Sequence, residues 1–374
     1  MLMKKNTTTA IIMTGVLSMV FGCASVPHNT RNSNLSDAQQ ILSHMTTEEK
    51  IAQLFIITPE QVAPGTTTKV TSKFVKALAN YPVGGIILFA RHIKNPAQLR
   101  TFTSSLQQAS TIPLSIAVDE EGGRVARLAR SKEFYLPQFK NMGTVGQTGC
   151  IENARGAGQI IGSYLAAFGF TIDFAPVADV NTNPENIVIG TRAFGSDPRL
   201  VAEMDKAFLS GLHSTGVKGC LKHFPGHGDT RNDTHTEYVA VTKSWEELKD
   251  CELIPFVQNF DIADSVMVAH VTCTAIDDTY PASLSKKLIT EKLRGELGYT
   301  GIIVSDALNM GAIEKNYGSA EAAVLAFEAG NDILLMPQEF AKAFDGVCAA
   351  VQSGRISMER LDQSVLRILQ SKGY

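Results

Sequence analysis

From about Leu35 onward, short apolar runs alternate with longer stretches whose apolar residues recur at helical spacing. Eight runs read as strands: Gln53–Ile57, Gly85–Phe89, Leu114–Val118, Ile172–Pro176, Gly219–Lys222, Ser265–Ala269, Gly301–Ser305 and Asp332–Met336. Alternation of this kind is the signature of repeated βα units and a parallel sheet. Several of the intervening helices carry start signals. Thr46 with Glu49, and Ser244 with Glu247, form capping boxes, and Asn95-Pro96 supplies an N-cap with proline at the first helical position. Eight units in roughly 340 residues predict an α/β fold, a TIM (β/α)8-type barrel with long βα loops. The barrel domain is expected over 37–374, because only helical patterns around Ala341–Ser353 and Met358–Lys372 follow the last strand run. A doubly wound open sheet is the alternative, since strand number alone does not prove closure. The polar residues favour the barrel. Asp119, Asp179, Lys222 with His223, His270 and Asp306 sit at successive strand ends, where a barrel would place them around its C-terminal mouth.

The first residues follow a different pattern. Lys4 and Lys5 precede an apolar stretch from Ala10 to Phe21 that ends in Gly22-Cys23. This reads as a secretory signal over 1–23 with a lipobox-like end, too short to span ~30 Å of hydrocarbon, in which Cys23 would be lipidated. Residues 24–36, rich in Asn, Ser, Pro and Thr, read as a tether. The expectation is an exported, membrane-anchored protein on the periplasmic or cell-surface side, with a soluble periplasmic or secreted form as the alternative.

Composition narrows the partners. The 374 residues are 44% hydrophobic and 19% charged with a formal net charge of −3, and no run of Lys or Arg follows the leader. Nucleic acid is therefore not expected as a partner. Apart from Cys23 there are five cysteines, Cys150, Cys220, Cys251, Cys273 and Cys348, with no C-x-x-C unit; they are expected to be buried thiols.

The densest polar stretch is Lys222-His223-Phe224-Pro225-Gly226-His227-Gly228-Asp229-Thr230-Arg231-Asn232-Asp233-Thr234-His235. It leaves a strand as a glycine-rich loop and has two chemical readings. His223, His227, Asp229 and His235 are ligand types suited to zinc, although Gly226 and Gly228 disfavour the helix that would align them. Alternatively, Asp233 orients the imidazole of His235 and stabilises its protonated form, giving an acid/base dyad. The second reading gains force from Asp306 in Ser305-Asp306-Ala307-Leu308-Asn309-Met310, a carboxylate at the end of the seventh run. A nucleophilic carboxylate opposite a proton donor is the arrangement of retaining glycoside hydrolysis. A helix N-cap is the plain alternative for Asp306.

These segments, with Val118-Asp119-Glu120-Glu121-Gly122-Gly123-Arg124-Val125, resemble glycoside hydrolase family 3, and most of all its single-domain β-N-acetylhexosaminidase branch. The resemblance runs from about Met45 to the C-terminus. It implies Asp306 as nucleophile, His235 as acid/base with Asp233 as its partner, and Asp119, Arg127, Arg192, Lys222 and His223 around the terminal sugar. It implies no cofactor or metal, a monomer, and an N-acetylglucosamine-containing oligosaccharide or muropeptide as substrate, from peptidoglycan turnover or chitin. Departures remain. Familiar members of this branch lack an export signal, and some relatives with a histidine acid/base transfer the sugar to phosphate. A metal-dependent hydrolase and a non-catalytic sugar-binding lipoprotein are the rival functions. Arg124 and Arg127 are read as pocket or surface residues, and His270 as a pocket or structural histidine.

Overall fold

A computed structural model describes residues 36–230 and 239–374. The leader, Cys23, the tether as far as residue 35, and the Asp233/His235 pair lie outside the described residues. Ser36, expected to end the tether, instead opens the first helix, Asp37–His44, in a reciprocal cap with Gln39.

In chain order the strands are β1 (Phe55–Ile57), β2 (Gly85–Ile87), β3 (Ser115–Val118), β4 (Ile172–Asp173), β5 (Lys218–Phe224), β6 (Val239–Val241), β7 (Ser265–Val268), β8 (Val271–Cys273), β9 (Ile302–Ser305) and β10 (Leu334–Leu335). Each of the eight runs read from the sequence contains or overlaps one strand of a parallel sheet with the order β10-β1-β2-β3-β4-β5-β7-β9. The two ends of that order meet. Val304 bridges Ile333 in parallel, Ser305 N–H donates to Ile333 O at 3.0 Å, and Asp332 N–H donates to Ile303 O at 2.7 Å. The sheet therefore comes round into a barrel, and the open-sheet alternative falls. Strands enclosed by helices outside and packed side chains inside have two apolar faces. This is why β1, β2, β7 and β9 are buried along their whole length.

The start signals act locally as the sequence predicts. Thr46 and Ser244 cap the helices Thr47–Gln53 and Trp245–Asp250 in reciprocal boxes, and Asn95 caps Pro96–Gln108. Two strands were not anticipated: β6 and β8 pair in parallel as a small separate sheet. Three residues each give too little pattern to read, yet they tie the chain following the histidine-rich loop to the chain leaving β7. The cysteines depart from expectation. All five in the described residues are free, but only Cys220 and Cys273 are buried; Cys150 is exposed at the start of the helix Ile151–Ala167.

At the opposite end from the strand termini that carry the polar residues, Asp332 anchors the helices to the barrel. Its fully buried carboxylate accepts from Arg294 Nη2 at 2.5 Å, Arg367 Nη1 at 3.0 Å, Ser364 Oγ at 2.5 Å and Ile303 N–H at 3.0 Å. Arg294 comes from the helix Lys287–Glu296, and Arg367 with Ser364 from Met358–Ser371. Removing one partner of a buried ion pair leaves the others desolvated and unmatched, which costs about 3–5 kcal/mol. Asp332→Ala is expected to lower the urea unfolding free energy by that amount, whereas Glu359→Ala on the exposed surface should change it by less than about 0.5 kcal/mol.

Candidate active site

The C-terminal ends of the strands open on a cavity of about 270 Å³. It is lined by all six sequence-named site residues that fall in the described stretches: Asp119, Arg127, Arg192, Lys222, His223 and Asp306. Asp119 and Asp306 each follow directly on a strand, β3 and β9, and Lys222 and His223 lie near the C-terminal end of β5. Arg127 and Arg192 arrive from the long loops after β3 and β4.

Glu121, not singled out from the sequence, is the centre of the charge pattern. Only 2% of it is exposed. Oε1 meets Lys222 Nζ at 2.6 Å, and the carboxylate takes a two-pronged contact from Arg192, Nε at 2.8 Å and Nη2 at 2.7 Å. Lys222 Nζ also donates to Asp119 Oδ1 at 3.0 Å, and Arg127 Nη2 to Asp119 Oδ2 at 3.1 Å. Burial alone would raise the Glu121 pKa, but Arg192 and Lys222 more than offset it and hold the carboxyl well below the usual range. Conversely, burial would lower Lys222, and Asp119 with Glu121 push it above an ordinary lysine. Both shifts favour the charged forms of Glu121 and Lys222. The described lining holds three cations, Arg127, Arg192 and Lys222, and three carboxylates, Asp119, Glu121 and Asp306. The Arg127 guanidinium also lies over the Phe89 ring, 5.4 Å from its centroid, and its Nε–H is buried without a partner among the described residues.

A carboxylate–imidazole pair lies beside these charges. His223 Nδ1 meets Asp179 Oδ2 at 2.7 Å, while Asp179 Oδ1 accepts the backbone N–H of His227 at 2.7 Å. Burial would raise Asp179, and the two histidines pull it below its ordinary value. His227 is shifted downward by burial, which favours the neutral ring. The histidine-rich loop locks onto the loop after β4: Asn186 Nδ2 donates to His227 O at 2.8 Å and Thr182 Oγ1 to Asp229 Oδ1 at 2.9 Å. Gly228 permits the approach, since a Cβ there would lie 1.9 Å from Val180 O. Of the alternative zinc set, the described members turn to different partners: His223 to Asp179, His227 to Thr230 Oγ1 at 2.7 Å, and Asp229 to Thr182 and Lys243. Among the described residues no group of three or more His, Cys, Asp or Glu is arranged to hold a metal ion.

Asp306 is held by its backbone and by the peptide that follows. Its N–H donates to Val268 O at 2.9 Å, and Oδ1 accepts Ala307 N–H at 2.7 Å. The next helix, Gly311–Glu314, has Met310 at its N-cap, so Asp306 does not serve as a helix cap. His270 lies behind the cavity wall, bonded to Ser283 Oγ at 2.6 Å and Ala307 O at 2.9 Å. Arg124 is exposed and donates through Nη2 to the carbonyls of Ile187 and Val188, the first at 2.7 Å. Glu120 turns away from its neighbours, accepting the backbone N–H groups of Arg127, Leu128 and Ala129. It thereby shapes the loop that delivers Arg127. The sequence offered one sign of this: three consecutive acidic residues at a strand end cannot all face one cavity.

Comparisons with known proteins agree with the geometry. Residues 46–371 match the glycosyl hydrolase family 3 N-terminal domain. A beta-hexosaminidase A of Pseudoalteromonas piscicida is 34% identical over 333 residues, covering 82% of this chain and 56% of that protein. A beta-hexosaminidase of Nitrosomonas eutropha is 37% identical over 317 residues, 82% of this chain and 89% of that protein. The solved structure of a family 3 β-N-acetylglucosaminidase from a Paenibacillus species superposes with a TM-score of 0.82 at 40% identity, covering 88% of this chain and 62% of that one. The chain thus spans little more than half the length of the first of these relatives. The match over nearly all the described residues, in sequence and in fold, places this chain in glycosyl hydrolase family 3.

Proposed function

We propose that the chain is a retaining exo-β-N-acetylhexosaminidase that removes terminal β-linked N-acetylglucosamine from peptidoglycan fragments or chitooligosaccharides. The observation that carries this reading is the opening of Asp306 onto the same cavity as Asp119, Arg127, Arg192, Lys222 and His223. A cavity of about 270 Å³ has room for a hexose ring with its acetamido group. Paired charges around it suit a neutral, hydroxyl-rich ring. A carboxylate accepts hydroxyl donors, and arginine and lysine donate to hydroxyl and acetamido oxygens. The names of the relatives point to the same class of substrate.

In this reading Asp306 attacks the anomeric carbon as His235, oriented by Asp233, delivers a proton to the glycosidic oxygen, and the aglycone leaves. Water then gives a proton to His235 and attacks the same carbon, releasing the sugar with retained configuration and regenerating the Asp306 carboxylate. Water is favoured over phosphate as acceptor because Lys222, Arg127 and Arg192 are each engaged by a carboxylate of the site. A dianion would meet a lining with little net positive charge. The segment 1–23 is read as an export signal that leaves a lipid on Cys23, with the barrel held at a membrane surface.

Wild-type protein is expected to hydrolyse an aryl β-N-acetylglucosaminide, with EDTA present, much faster than the matching β-glucoside. Asp306→Asn should reduce kcat by roughly 10⁴-fold; an unimpaired variant would sink the assignment.

Glu121→Gln removes the carboxylate that Lys222 and Arg192 share, so KM should rise and the melting temperature fall. The sign with pH follows from the depressed pKa. A carboxyl held below its ordinary value of 4.5 stabilises the fold above that pH and loses the contribution as pH falls beneath it. The gap in melting temperature between wild type and Glu121→Gln should stay constant from about pH 8 to 5 and narrow below about 4.5.

For the anchor, cells expressing the full chain and fed radiolabelled palmitate should label it, and Cys23→Ser should abolish both the label and recovery in the membrane fraction. Labelling that survives the substitution would remove the anchor from this reading.

A further inference from the structure

β7 ends beside the start of the Asp306 loop, and two contacts from that end grip it. Val268 O accepts the Asp306 N–H at 2.9 Å, and two residues further on His270 Nε2 meets Ala307 O at 2.9 Å. A carbonyl only accepts, so Nε2 carries the proton, and in the neutral ring Nδ1 accepts the hydroxyl of Ser283 at 2.6 Å. His270 and Ser283 are both buried, at 1% and 0% exposed, and the Ser283 backbone is itself pinned, with N–H on Ala269 O at 3.0 Å and C=O receiving Asn331 Nδ2 at 2.8 Å. Ala307 in turn places its N–H on Asp306 Oδ1 at 2.7 Å. The chain of contacts runs Ser283, His270, Ala307, Asp306.

We propose that His270 is a positioning residue for the nucleophile. Its imidazole, braced through Nδ1 by Ser283, clamps the Ala307 carbonyl, and the clamped chain holds the Asp306 carboxylate at one rotation through the Ala307 N–H. His270 is not among the described residues that line the cavity. The inference rests on the reading of Asp306 as nucleophile. It separates His270 from Asp119, Arg127 and Arg192 by function: those residues bind the ground state, whereas an aimed carboxylate matters chiefly once the anomeric carbon is being attacked.

The test compares His270→Leu, His270→Gln and Ser283→Ala with wild type on an aryl β-N-acetylglucosaminide, with Asp306→Asn as control and melting temperatures to confirm folding. Leucine cannot donate to Ala307 O, and a loosened nucleophile should lower kcat about 10²-fold while KM stays within about threefold. Glutamine can set an amide N–H close to the position of Nε2, so it should keep about ten times more activity than leucine. Ser283→Ala, which removes the hydroxyl that braces Nδ1, should lose about tenfold in kcat. Three results would each overturn the proposal: a folded His270→Leu protein with wild-type kcat, a glutamine variant no better than leucine, or a loss carried by KM. Those results leave the glycosidase reading standing as long as wild type turns over and Asp306→Asn does not. An inert wild type, or an active Asp306→Asn, removes the nucleophile and this inference with it.

Discussion

A carboxylate almost wholly out of water, with an ammonium at 2.6 Å and a guanidinium fork at 2.7 and 2.8 Å, is the constraint around which this barrel mouth is organised. Glu121, Lys222 and Arg192 come from the loop after β3, the end of β5 and the loop after β4. Desolvating any one alone would be unfavourable, so each is stable in place only while the others are there. The long loops on which Arg192 and Arg127 ride are thereby tied to strand ends that cannot move. Asp119 extends the tie, since it shares Lys222 with Glu121 and holds Arg127. A ligand entering the cavity meets donors and acceptors already oriented by one another, and less ordering entropy is lost on binding.

The two ends of the barrel use the same physics for different purposes. At one end Asp332 gathers Arg294, Arg367 and Ser364 into a buried knot that fastens helices to strands. At the other, the charged knot borders a cavity, and its outer members Asp119 and Arg127 are partly exposed there. The loops after β4 and β5 interlock through Asn186, Thr182 and the close passage at Gly228. β6, paired with β8, picks up the chain again at residue 239. Both flanks of the stretch 231–238, which carries Asp233 and His235, are thus fixed to the barrel rim.

Much of this was legible in the sequence because barrel strands are apolar on both faces and end abruptly in polar residues. Asp119, Lys222 and Asp306 stand out for that reason, and all three line the cavity. What stayed hidden depends on partners distant in the chain. Within Asp119-Glu120-Glu121 nothing local says that Glu120 will take three backbone N–H groups while Glu121 takes Lys222 and Arg192, about 100 and 70 residues away. Asp179 was visible as a polar strand end, but its grip on His223 was not. β6 and β8 were too short to leave a period, and Cys150 is exposed because it starts a helix at the surface. The hydroxyl of Ser283, 13 residues beyond His270 and within a 3₁₀ turn, carried no sequence signal either.

The separation of strength from aim follows from where the hydrogen bonds go. The charged residues around Glu121 set the electrostatic character of the cavity, and they are satisfied largely by one another. At Asp306 two contacts are to backbone: its own N–H donates to Val268 O, and its carboxylate accepts the Ala307 N–H. Neutral contacts of this kind are directional and little affected by salt or by the charge of a bound molecule, whereas the ion pairs around Glu121 owe their strength to charge and burial.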